Sequence, residues 1–312
     1  MKLTACITTF NRPDFLEESL SSLCNQTSKN FSILILDNGS DMLVEKIIQK
    51  YRNQDIKIKY NKHRPIPISE QRNLALNIVE TDYLGFLDDD DIWKDNKVEE
   101  FFKFLNQMNF QEIALWYSGF KFFTQNDYKR SFSGEIYDPN SDLKSLLRQR
   151  GDFTGSASNP IINVNLARNL KGYDNKILTG EDYEFYLRLA KDFKFYFTAK
   201  PLTYIRQHQG SRLGGRLRDY IRTEINIYRK FYGLYPEVDQ ILVRKIATKL
   251  IRINKANIAR KLINIKKIKF NREYFINCMV YFASFLDKKV YLFIHNIFIK
   301  TTKRIRRLIK IF

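Results

Sequence analysis

The chain has 312 residues, enough for one large domain or for one domain with an appendage, and its 44% hydrophobic and 28% charged residues exclude a disordered protein. Three scattered cysteines exclude a disulfide framework, no signal-peptide stretch follows the N-terminus, and no apolar stretch reaches the roughly 20 residues that span a bilayer. The net charge of +19 lies almost entirely in residues 216–312, which hold 24 of the 53 basic but only 6 of the 34 acidic residues. We therefore expect a cytoplasmic protein with a near-neutral body and a cationic C-terminal region.

The first hundred residues alternate β-rich runs with amphipathic stretches, which is the pattern of βα units around a largely parallel sheet. The nearly continuous apolar run at 31–36 is typical of a strand that is buried on both faces. We predict four strands, at Leu3–Thr9, Phe31–Leu36, Ile56–Tyr60 and Tyr83–Leu87. We predict four helices, at Pro13–Gln26, Asp41–Tyr51, Ser69–Glu80 and Lys94–Met108.

Beyond residue 110 the pattern is less regular. The polar, turn-rich stretch Thr124–Asn140 is interpreted as a hairpin or a mobile loop. A long strand, an amphipathic helix and two short strands are predicted at Ile113–Phe123, Glu181–Ala190, Phe195–Phe197 and Leu202–Ile205. From about residue 216 onward, apolar residues alternate with Lys and Arg at helical spacing, which predicts a basic helical region.

Four consecutive aspartates, Asp88 to Asp91, follow the predicted strand Tyr83–Leu87. Carboxylates this close repel each other, and a fold tolerates them best when a cation shares them; Mg²⁺ and Mn²⁺ prefer such oxygen ligands. The alternative is a solvated acidic turn with Asp91 as the N-cap of the next helix. The position at the end of an apolar strand favours the metal site, because open α/β sheets bind ligands at that edge.

Two polar turns follow the first two predicted strands. Asp37 and Asn38 begin a turn with Gly and Ser, which is either a simple tight turn or a hydrogen-bonding rim for a nucleobase and ribose. Thr8, Phe10 and Asn11 can provide an aromatic wall and polar contacts to the same ligand. The two turns indicate a nucleotide site only when they are taken together.

Charged residues on three later segments complete the candidate site. Arg72 lies in the first turns of the helix that starts at Ser69, where it faces either solvent or a diphosphate at the positive end of the helix dipole. Glu181 and Asp182 open another helix, either as simple partners of its dipole or with Asp182 as a general base for an attacking hydroxyl. His208 is either structural or a further ligand of Mn²⁺, which accepts imidazole.

In their order and spacing these segments resemble the family 2 glycosyltransferases, nucleotide-sugar-dependent enzymes with the GT-A fold. The resemblance covers roughly residues 3–211 and rests on ITTFNRPDFLEESLSSLCNQT, LILDNGSD, SEQRNLALNIVETDYLGFLDDDDIW, GYDNKILTGEDYEFYLRL and YIRQHQGS. It implies an α/β fold of the GT-A type, with a Rossmann-like, mixed, mostly parallel sheet flanked by helices. The expected domains are a catalytic domain over 1–215, with a nucleotide-binding half to about 110 and an acceptor half after it, and the basic helical region 216–312.

The resemblance also implies roles for single residues. Asp88, Asp89 and Asp90 match the family's DXD element, in which Asp90 is the expected metal ligand and Asp88 lies near the ribose or the metal waters. The expected cofactor is Mn²⁺ or Mg²⁺. Asp182 matches the base of the family's ED element, and His208 matches a histidine that touches the metal or the diphosphate.

The nucleotide positions follow from the same resemblance. Thr8, Phe10 and Asp37 fall on nucleoside-binding positions, and Arg72 falls on a position that faces the diphosphate. Many members carry a second acidic residue where this chain has Asn38. An Asn oxygen can still accept a hydrogen bond from a pyrimidine N3–H, so we expect a UDP-sugar donor, with a dTDP-sugar as the alternative.

By resemblance alone, the acceptor side is expected around Glu181 and the irregular segment 152–159, which includes Ser156 and Ser158. The alternative interpretation of this segment is an ordinary connection of small residues. One carboxylate base without a second carboxylate as nucleophile implies direct displacement, and hence inversion at the anomeric carbon. We expect the acceptor to be a hydroxyl of a growing, lipid-linked surface polysaccharide or lipo-oligosaccharide.

The cationic C-terminal region has three interpretations: a solvated helical cap, a nucleic-acid-binding surface, or an amphipathic attachment to an anionic bilayer. The aromatic-rich stretch 274–299, and six basic residues without an acid in 300–310, favour attachment to the inner face of the cytoplasmic membrane. The rival function is a non-enzymatic nucleic-acid-binding protein that acts through this region. The near-neutral body weakens it, and we expect no nucleic-acid partner. A Walker-type phosphate loop is absent from the sequence, which disfavours a kinase-like nucleotide enzyme.

Overall fold

The computed structural model describes residues 1–246 apart from 40, 53–54, 109–112, 125–126, 134–142, 149–152, 208–216, 236–237, 240 and 244. The strands are β1 (Leu3–Thr9), β2 (Phe31–Asp37), β3 (Ile58–Lys62), β4 (Tyr83–Asp88), β5 (Ile92–Trp93), β6 (Leu115–Thr124), β7 (Asp127–Ser133), β8 (Ile161–Asn163) and β9 (Phe195–Arg206). The helices are α1 (Pro13–Cys24), α2 (Leu43–Tyr51), α3 (Ile68–Ile78), α4 (Lys97–Gln107), α5 (Leu143–Arg148), α6 (Val164–Asn169), α7 (Glu181–Asp192) and α8 (Leu217–Phe231).

One mixed sheet runs through the larger compact unit, Met1–Leu213. Its strand order is β3-β2-β1-β4-β8-β6-β9-β5, and β7 pairs with β6 outside this path. The four N-terminal strands are parallel, with β1 between β2 and β4, whereas β8 is antiparallel to both β4 and β6. All seven residues of β1 are buried, as expected for a central strand covered on both faces. The predicted α/β fold, a mixed sheet flanked by helices, is confirmed.

The strand register explains why the polar turns lie at one edge of the sheet. Thr8 in β1 pairs with Asp88 in β4, and Thr9 pairs with Asp37 in β2. The three parallel strands therefore end at the same level. An apolar core that includes Leu16, Ile35 and Phe101 packs helices onto these strands and holds their ends in place.

The second half of the sheet differs from the prediction in three places. The two predicted short strands form one strand, β9, whose pairing with β6 shifts register at Gly119. A side chain on Gly119 would meet the Ala199 carbonyl oxygen at 2.8 Å, so the irregular pairing requires glycine there. Neither β5 nor β8 was predicted, because strands of two and three residues are too short to show alternation. The antiparallel pairing of β6 with β7 supports a hairpin in the turn-rich stretch, of which 134–140 lies outside the described residues.

The second compact unit, Gly214–Phe312, begins in the described residues with α8. This helix has buried Ile221, Ile227 and Phe231, while its charged residues Arg222 and Lys230 are exposed. The predicted basic stretch 247–312 lies outside the described residues. Within the part of the chain that the structure describes, no helix is both long and apolar enough to cross a membrane.

Candidate active site

The four aspartates separate into a cluster of three and one that points elsewhere. Asp88 ends β4, and Asp88, Asp90 and Asp91 each offer a carboxylate oxygen within 4.8 Å of the others. Asp89 is 1% exposed and accepts a hydrogen bond from the Thr9 hydroxyl at 2.8 Å. The alternative of a solvated turn with Asp91 as a helix cap is wrong, because Asp91 is buried and the N-cap of α4 is Asn96.

The Asp91 carboxylate is held entirely by protein donors. Its Oδ2 accepts hydrogen bonds from the Ser158 hydroxyl at 2.6 Å and the Ser156 hydroxyl at 2.9 Å, and its Oδ1 accepts from the Arg206 backbone N–H at 2.9 Å. The Ser158 hydroxyl also accepts from the Asp88 backbone N–H at 2.9 Å. Ser158 therefore couples two members of the cluster. Ser158 has no exposed surface, whereas Ser156 is partly exposed. Of the two serines that were expected on the acceptor side, only Ser156 can therefore contact an acceptor.

Burial and mutual repulsion disfavour the ionised form of the carboxylates in this cluster. Burial raises the pKa of Asp88 to about 6 and that of Asp91 to about 7, and the neighbouring carboxylates add to both increases. The Asp88 and Asp90 side chains retain 35% and 16% of their exposure, so a solute can reach them. Close, hard carboxylate oxygens are the ligands that Mg²⁺ and Mn²⁺ prefer. The cluster therefore fits a divalent cation, with Asp88 and Asp90 as its accessible members.

Arg72 stands between the aspartate cluster and the start of α7. Its guanidinium forms an ion pair with Glu181 and lies 3.9 Å from an Asp88 carboxylate oxygen. It is 4% exposed and lies over the rings of Phe86 and Tyr173, 5.6 Å from each centroid. The alternative of an exposed helical arginine is wrong. Arg72 instead joins α3, β4 and α7 at one point.

The N-terminal turn of α3 carries polar atoms that are ready for a ligand. Ser69 Oγ, Gln71 Oε1 and Arg72 Nε are buried and have no hydrogen-bond partner among the described residues. Buried polar atoms in native proteins are nearly always paired with protein groups or ordered water, so we expect a water molecule or a ligand group at these three atoms. A helix N-terminus with an arginine donor suits an anionic group.

The α7 helix brings the two acidic residues of the predicted ED element to the same region. It begins after Gly180, whose φ of 72° lies in the left-handed region. Glu181 is buried against Arg72, and burial raises its pKa to about 7. Asp182 is partly exposed, and its charge contributes to the raised pKa of Asp88. Glu181 therefore positions Arg72 instead of facing an open acceptor cleft, while Asp182 remains accessible.

The turn after β2 is more rigid than the sequence indicates. Asp37 has no exposed surface; its Oδ1 accepts from the Gly39 N–H and its Oδ2 from the Tyr60 hydroxyl, both at 2.8 Å. The Asn38 side chain accepts from the Ile66 N–H at 2.7 Å and donates to the Ile66 carbonyl at 3.0 Å. The side chains of both Asp37 and Asn38 are thus hydrogen-bonded within the protein. The hydrogen bonds of Asn38 connect this turn to the segment before α3.

The end of β1 forms the neighbouring wall. Thr8 is buried, whereas Phe10 is 52% exposed and offers an open aromatic ring. Asn11 adopts a positive φ of 52°, and its Oδ1 accepts from the Asp41 N–H at 3.1 Å. A side chain on Gly39 would lie 2.3 Å from that Asn11 oxygen, so the two turns touch. The predicted metal ligand His208 lies outside the described residues.

Sequence reasoning missed two arginines that hold the aspartate turn. Arg12, just before α1, contacts both Asp89 and Asp90. Arg206 ends β9; its Nε donates to the Asp90 carbonyl at 2.8 Å, and its guanidinium lies 4.5 Å from the Phe123 ring centroid. The sequence shows only that Arg12 is next to a turn and that Arg206 is at the end of a strand. Many surface arginines have such positions, so this does not identify a site residue.

Residues 4–170 match the model of the family described as Glycosyl transferase family 2. An uncharacterised glycosyltransferase of Methanocaldococcus jannaschii is 31% identical over 198 residues, which are 62% of this chain and 66% of that protein. The Escherichia coli UDP-Glc:alpha-D-GlcNAc-diphosphoundecaprenol beta-1,3-glucosyltransferase WfaP is 28% identical over 221 residues, 69% of this chain and 81% of that protein. The match to an uncharacterised glycosyltransferase of Rickettsia bellii spans only 21% of that protein.

Solved structures share the fold. S. aureus TarS 1-349 in complex with UDP-GlcNAc has a TM-score of 0.62 at 17% identity, over 91% of this chain and 79% of that one. The mannosyltransferase PcManGT from Pyrobaculum calidifontis, in complex with GDP-Man and Mn²⁺, has a TM-score of 0.54 at 11% identity, over 93% and 82%. The family match covers more than half of the sequence, including both polar turns, Arg72 and the aspartate run. The chain belongs to glycosyl transferase family 2.

Proposed function

We propose that the protein is an inverting glycosyltransferase that transfers a sugar from a nucleoside-diphosphate sugar to a hydroxyl of a growing glycan. The observation that carries this proposal is the position of Arg72 between two acidic groups. On one side lies Asp88 of the aspartate cluster, and on the other lie Glu181 and Asp182. A donor diphosphate at Arg72 would have a cation site and a general base within reach.

The donor half of the reaction relies on residues that stabilise negative charge. Arg72, together with the N-terminal turn of α3, would hold the diphosphate, because its buried Nε lacks a partner in the described part of the chain. Asp88 and Asp90 would hold Mn²⁺ or Mg²⁺, which supplies charge stabilisation to the departing nucleoside diphosphate. Phe10 and the turn at Asp37 would hold the nucleoside.

The acceptor half relies on Asp182. This partly exposed carboxylate would take the proton of the acceptor hydroxyl as its oxygen attacks the anomeric carbon. Glu181 is paired with Arg72 and Glu184 with Arg188, so the first turn of α7 offers no second free carboxylate as a nucleophile, which supports direct displacement with inversion.

Replacing Asp182 tests the assignment of the base. We expect Asp182→Asn to lower the turnover number by roughly 10²–10⁴, the usual contribution of a general base, with donor affinity unchanged. Asp192→Asn is the matched control, because Asp192 is an exposed carboxylate at the opposite end of the same helix. Turnover of Asp182→Asn within a factor of two of the control would exclude this role.

For the donor we propose a UDP-sugar, with a dTDP-sugar as the alternative. TarS has been solved with UDP and with UDP-GlcNAc, and the name of the E. coli relative specifies UDP-Glc, which supports a uridine donor. The test is thermal unfolding with UDP, dTDP and GDP, each with and without Mn²⁺ or Mg²⁺. A ligand at about 100 times its Kd adds roughly 2.7 kcal/mol of stability. We expect a metal-dependent shift with UDP that is lost in Asp90→Ala; no shift with any nucleotide would refute the donor site.

For the acceptor we propose a lipid-linked surface polysaccharide or lipo-oligosaccharide, reached from the inner face of the cytoplasmic membrane through the basic C-terminal region. The diphosphoundecaprenol in the name of the E. coli relative supports a lipid-linked acceptor. Replacing the six basic residues of 300–310 by Gln should reduce co-sedimentation with anionic vesicles. Neutral vesicles provide the control. Undiminished binding of this variant to anionic vesicles would exclude attachment through this segment.

A further inference from the structure

Arg12 contacts two residues of the aspartate run, the buried Asp89 and the partly exposed Asp90. Its Nε donates to Asp89 Oδ2 at 3.2 Å, and its Nη2 forms an ion pair with Asp89 Oδ1. Its Nη1 donates to Asp90 Oδ2 at 2.9 Å. One guanidinium thus binds Asp89 through two nitrogens and Asp90 through the third.

The two contacts of Arg12 differ in strength. The Asp89 side chain has no exposed surface and receives a bidentate fork, the strongest arrangement for an arginine–carboxylate pair. Asp90 is 16% exposed and receives one hydrogen bond from Arg12. The fork fixes the planar guanidinium on Asp89, whereas the partly exposed Asp90 carboxylate has room to rotate away from Nη1. The Asp90 contact is therefore the one that can be broken.

The Asp90 contact opposes the binding of a divalent cation at the cluster. A guanidinium hydrogen-bonded to Asp90 occupies one of its oxygens, and its positive charge repels any second cation nearby. Asp90 is also the accessible carboxylate that the proposed donor site needs for its metal. Arg12 and the divalent cation therefore compete for the same side chain.

We infer that Arg12 is a built-in counter-cation of Asp90 that sets the affinity of the aspartate cluster for a divalent cation, and that Asp89 anchors the Arg12 guanidinium beside Asp90. Arg12 is a positioning residue in this scheme. The inference rests on the proposed metal-dependent donor site and adds to it the residue pair that tunes its occupancy. Cation binding gives up the contact between Nη1 and Asp90, while the fork on Asp89 remains.

Two variants change the cation affinity in opposite directions. In Asp89→Asn the Arg12 guanidinium loses its ion pair with Asp89, and Asp90 becomes the carboxylate that balances the Arg12 charge. We therefore expect Mn²⁺ to bind roughly tenfold more weakly than to the wild type. In the double variant Arg12→Gln/Asp89→Asn the buried pair is removed together and Asp90 loses its counter-charge, so we expect Mn²⁺ to bind roughly tenfold more tightly than to the wild type. A purely structural role of the pair would weaken binding in both.

The experiment is a titration of the full-length protein with Mn²⁺ alone, followed by calorimetry, with thermal unfolding as the check on folding. Arg222→Gln is the matched control, because it removes the same charge from a side chain that is 76% exposed on α8, and its affinity should equal that of the wild type. Arg12→Met/Asp89→Leu, which replaces the pair by apolar side chains, provides a second route if the first double variant does not fold. It also removes the Arg12 charge from Asp90, so Mn²⁺ should bind more tightly than to the wild type.

The possible outcomes separate this inference from the proposed function. Opposite changes in Asp89→Asn and the double variant support the role of Arg12. Either double variant, if it folds and binds Mn²⁺ no more tightly than the wild type, overturns it. A wild-type protein that binds neither Mn²⁺ nor Mg²⁺, even with UDP present, overturns the metal-dependent donor site and the inference together.

Discussion

Removing the Ser158 hydroxyl should damage both the stability of the protein and its cation site. Ser158 has no exposed surface; its hydroxyl donates to Asp91 Oδ2 at 2.6 Å and accepts from the Asp88 N–H at 2.9 Å. A hydrogen bond to a charged group contributes about 1.5–3 kcal/mol, and a neutral one about 1 kcal/mol. We therefore expect Ser158→Ala to lower the free energy of unfolding by about 3 kcal/mol. A domain of this size loses roughly 2–4 °C of Tm per kcal/mol, which gives a decrease of about 6–12 °C.

The same substitution should weaken Mn²⁺ binding by roughly 10–100-fold, because groups that orient metal ligands typically contribute this much to affinity. Thermal unfolding and calorimetric titration with Mn²⁺ measure the two effects separately. Ser156→Ala is the comparison: its partly exposed hydroxyl donates to Asp91 at 2.9 Å and accepts from the Ser158 N–H at 3.1 Å, but it does not contact Asp88. Water can replace part of these bonds, so both effects should be smaller. If Ser158→Ala unfolds at the wild-type temperature, the assignment of Ser158 as the coupling residue is refuted.

Three further predictions follow from buried charged groups. Burial raises the pKa of Asp91 to about 7, above its unfolded value near 4, so this group stabilises the fold at low pH and loses that contribution as the pH rises through 7. In EDTA, the metal-free protein should therefore unfold at a lower temperature at pH 8 than at pH 6. An unfolding temperature that does not change between these pH values would contradict this. Lys97→Met should cost about 3 kcal/mol in urea unfolding, because the fully buried Lys97 Nζ donates to the Asn159 carbonyl at 2.7 Å, to the Asn159 side chain at 3.2 Å and to the Thr203 hydroxyl at 2.5 Å. A loss below about 1 kcal/mol would argue against these hydrogen bonds. Glu181→Gln should cost about 1–3 kcal/mol, because Arg72 loses its ion pair with Glu181 but keeps Asp88 at 3.9 Å. Adding Arg72→Met should restore part of this loss, and purely additive losses would show that the pair is not coupled.

Several features of this site were readable from the sequence because they depend on local pattern. A continuous apolar run followed by Asp37, or by Asp88, already predicts a buried strand whose carboxyl end carries an acidic turn. The parallel pairing of neighbouring βα units then brings these turns to one edge of the sheet. The positions of Asp182 and Arg72 at helix N-termini were likewise predictable from helix start signals.

Which charges meet could not be read from the sequence. Four successive aspartates look equivalent in the chain, yet Asp89 turns to Arg12 while its neighbours form the cluster. Arg72 and Glu181 are 109 residues apart, and the Arg206 N–H and Asp91 are 115 residues apart. No local rule connects such residues.

The sequence by itself determined the class of the fold and the edge at which the site lies, because apolar periodicity and strand-end polarity are properties of short segments. The tertiary structure decided the partners of each charge, because they depend on how distant strands are placed. The three-residue strand β8, antiparallel between β4 and β6, was too short to predict, yet the segment just before it brings Ser158 to Asp88 and Asp91. The state of each carboxylate follows from that packing, since burial and the nearest counter-charge, and not the residue type, set its pKa.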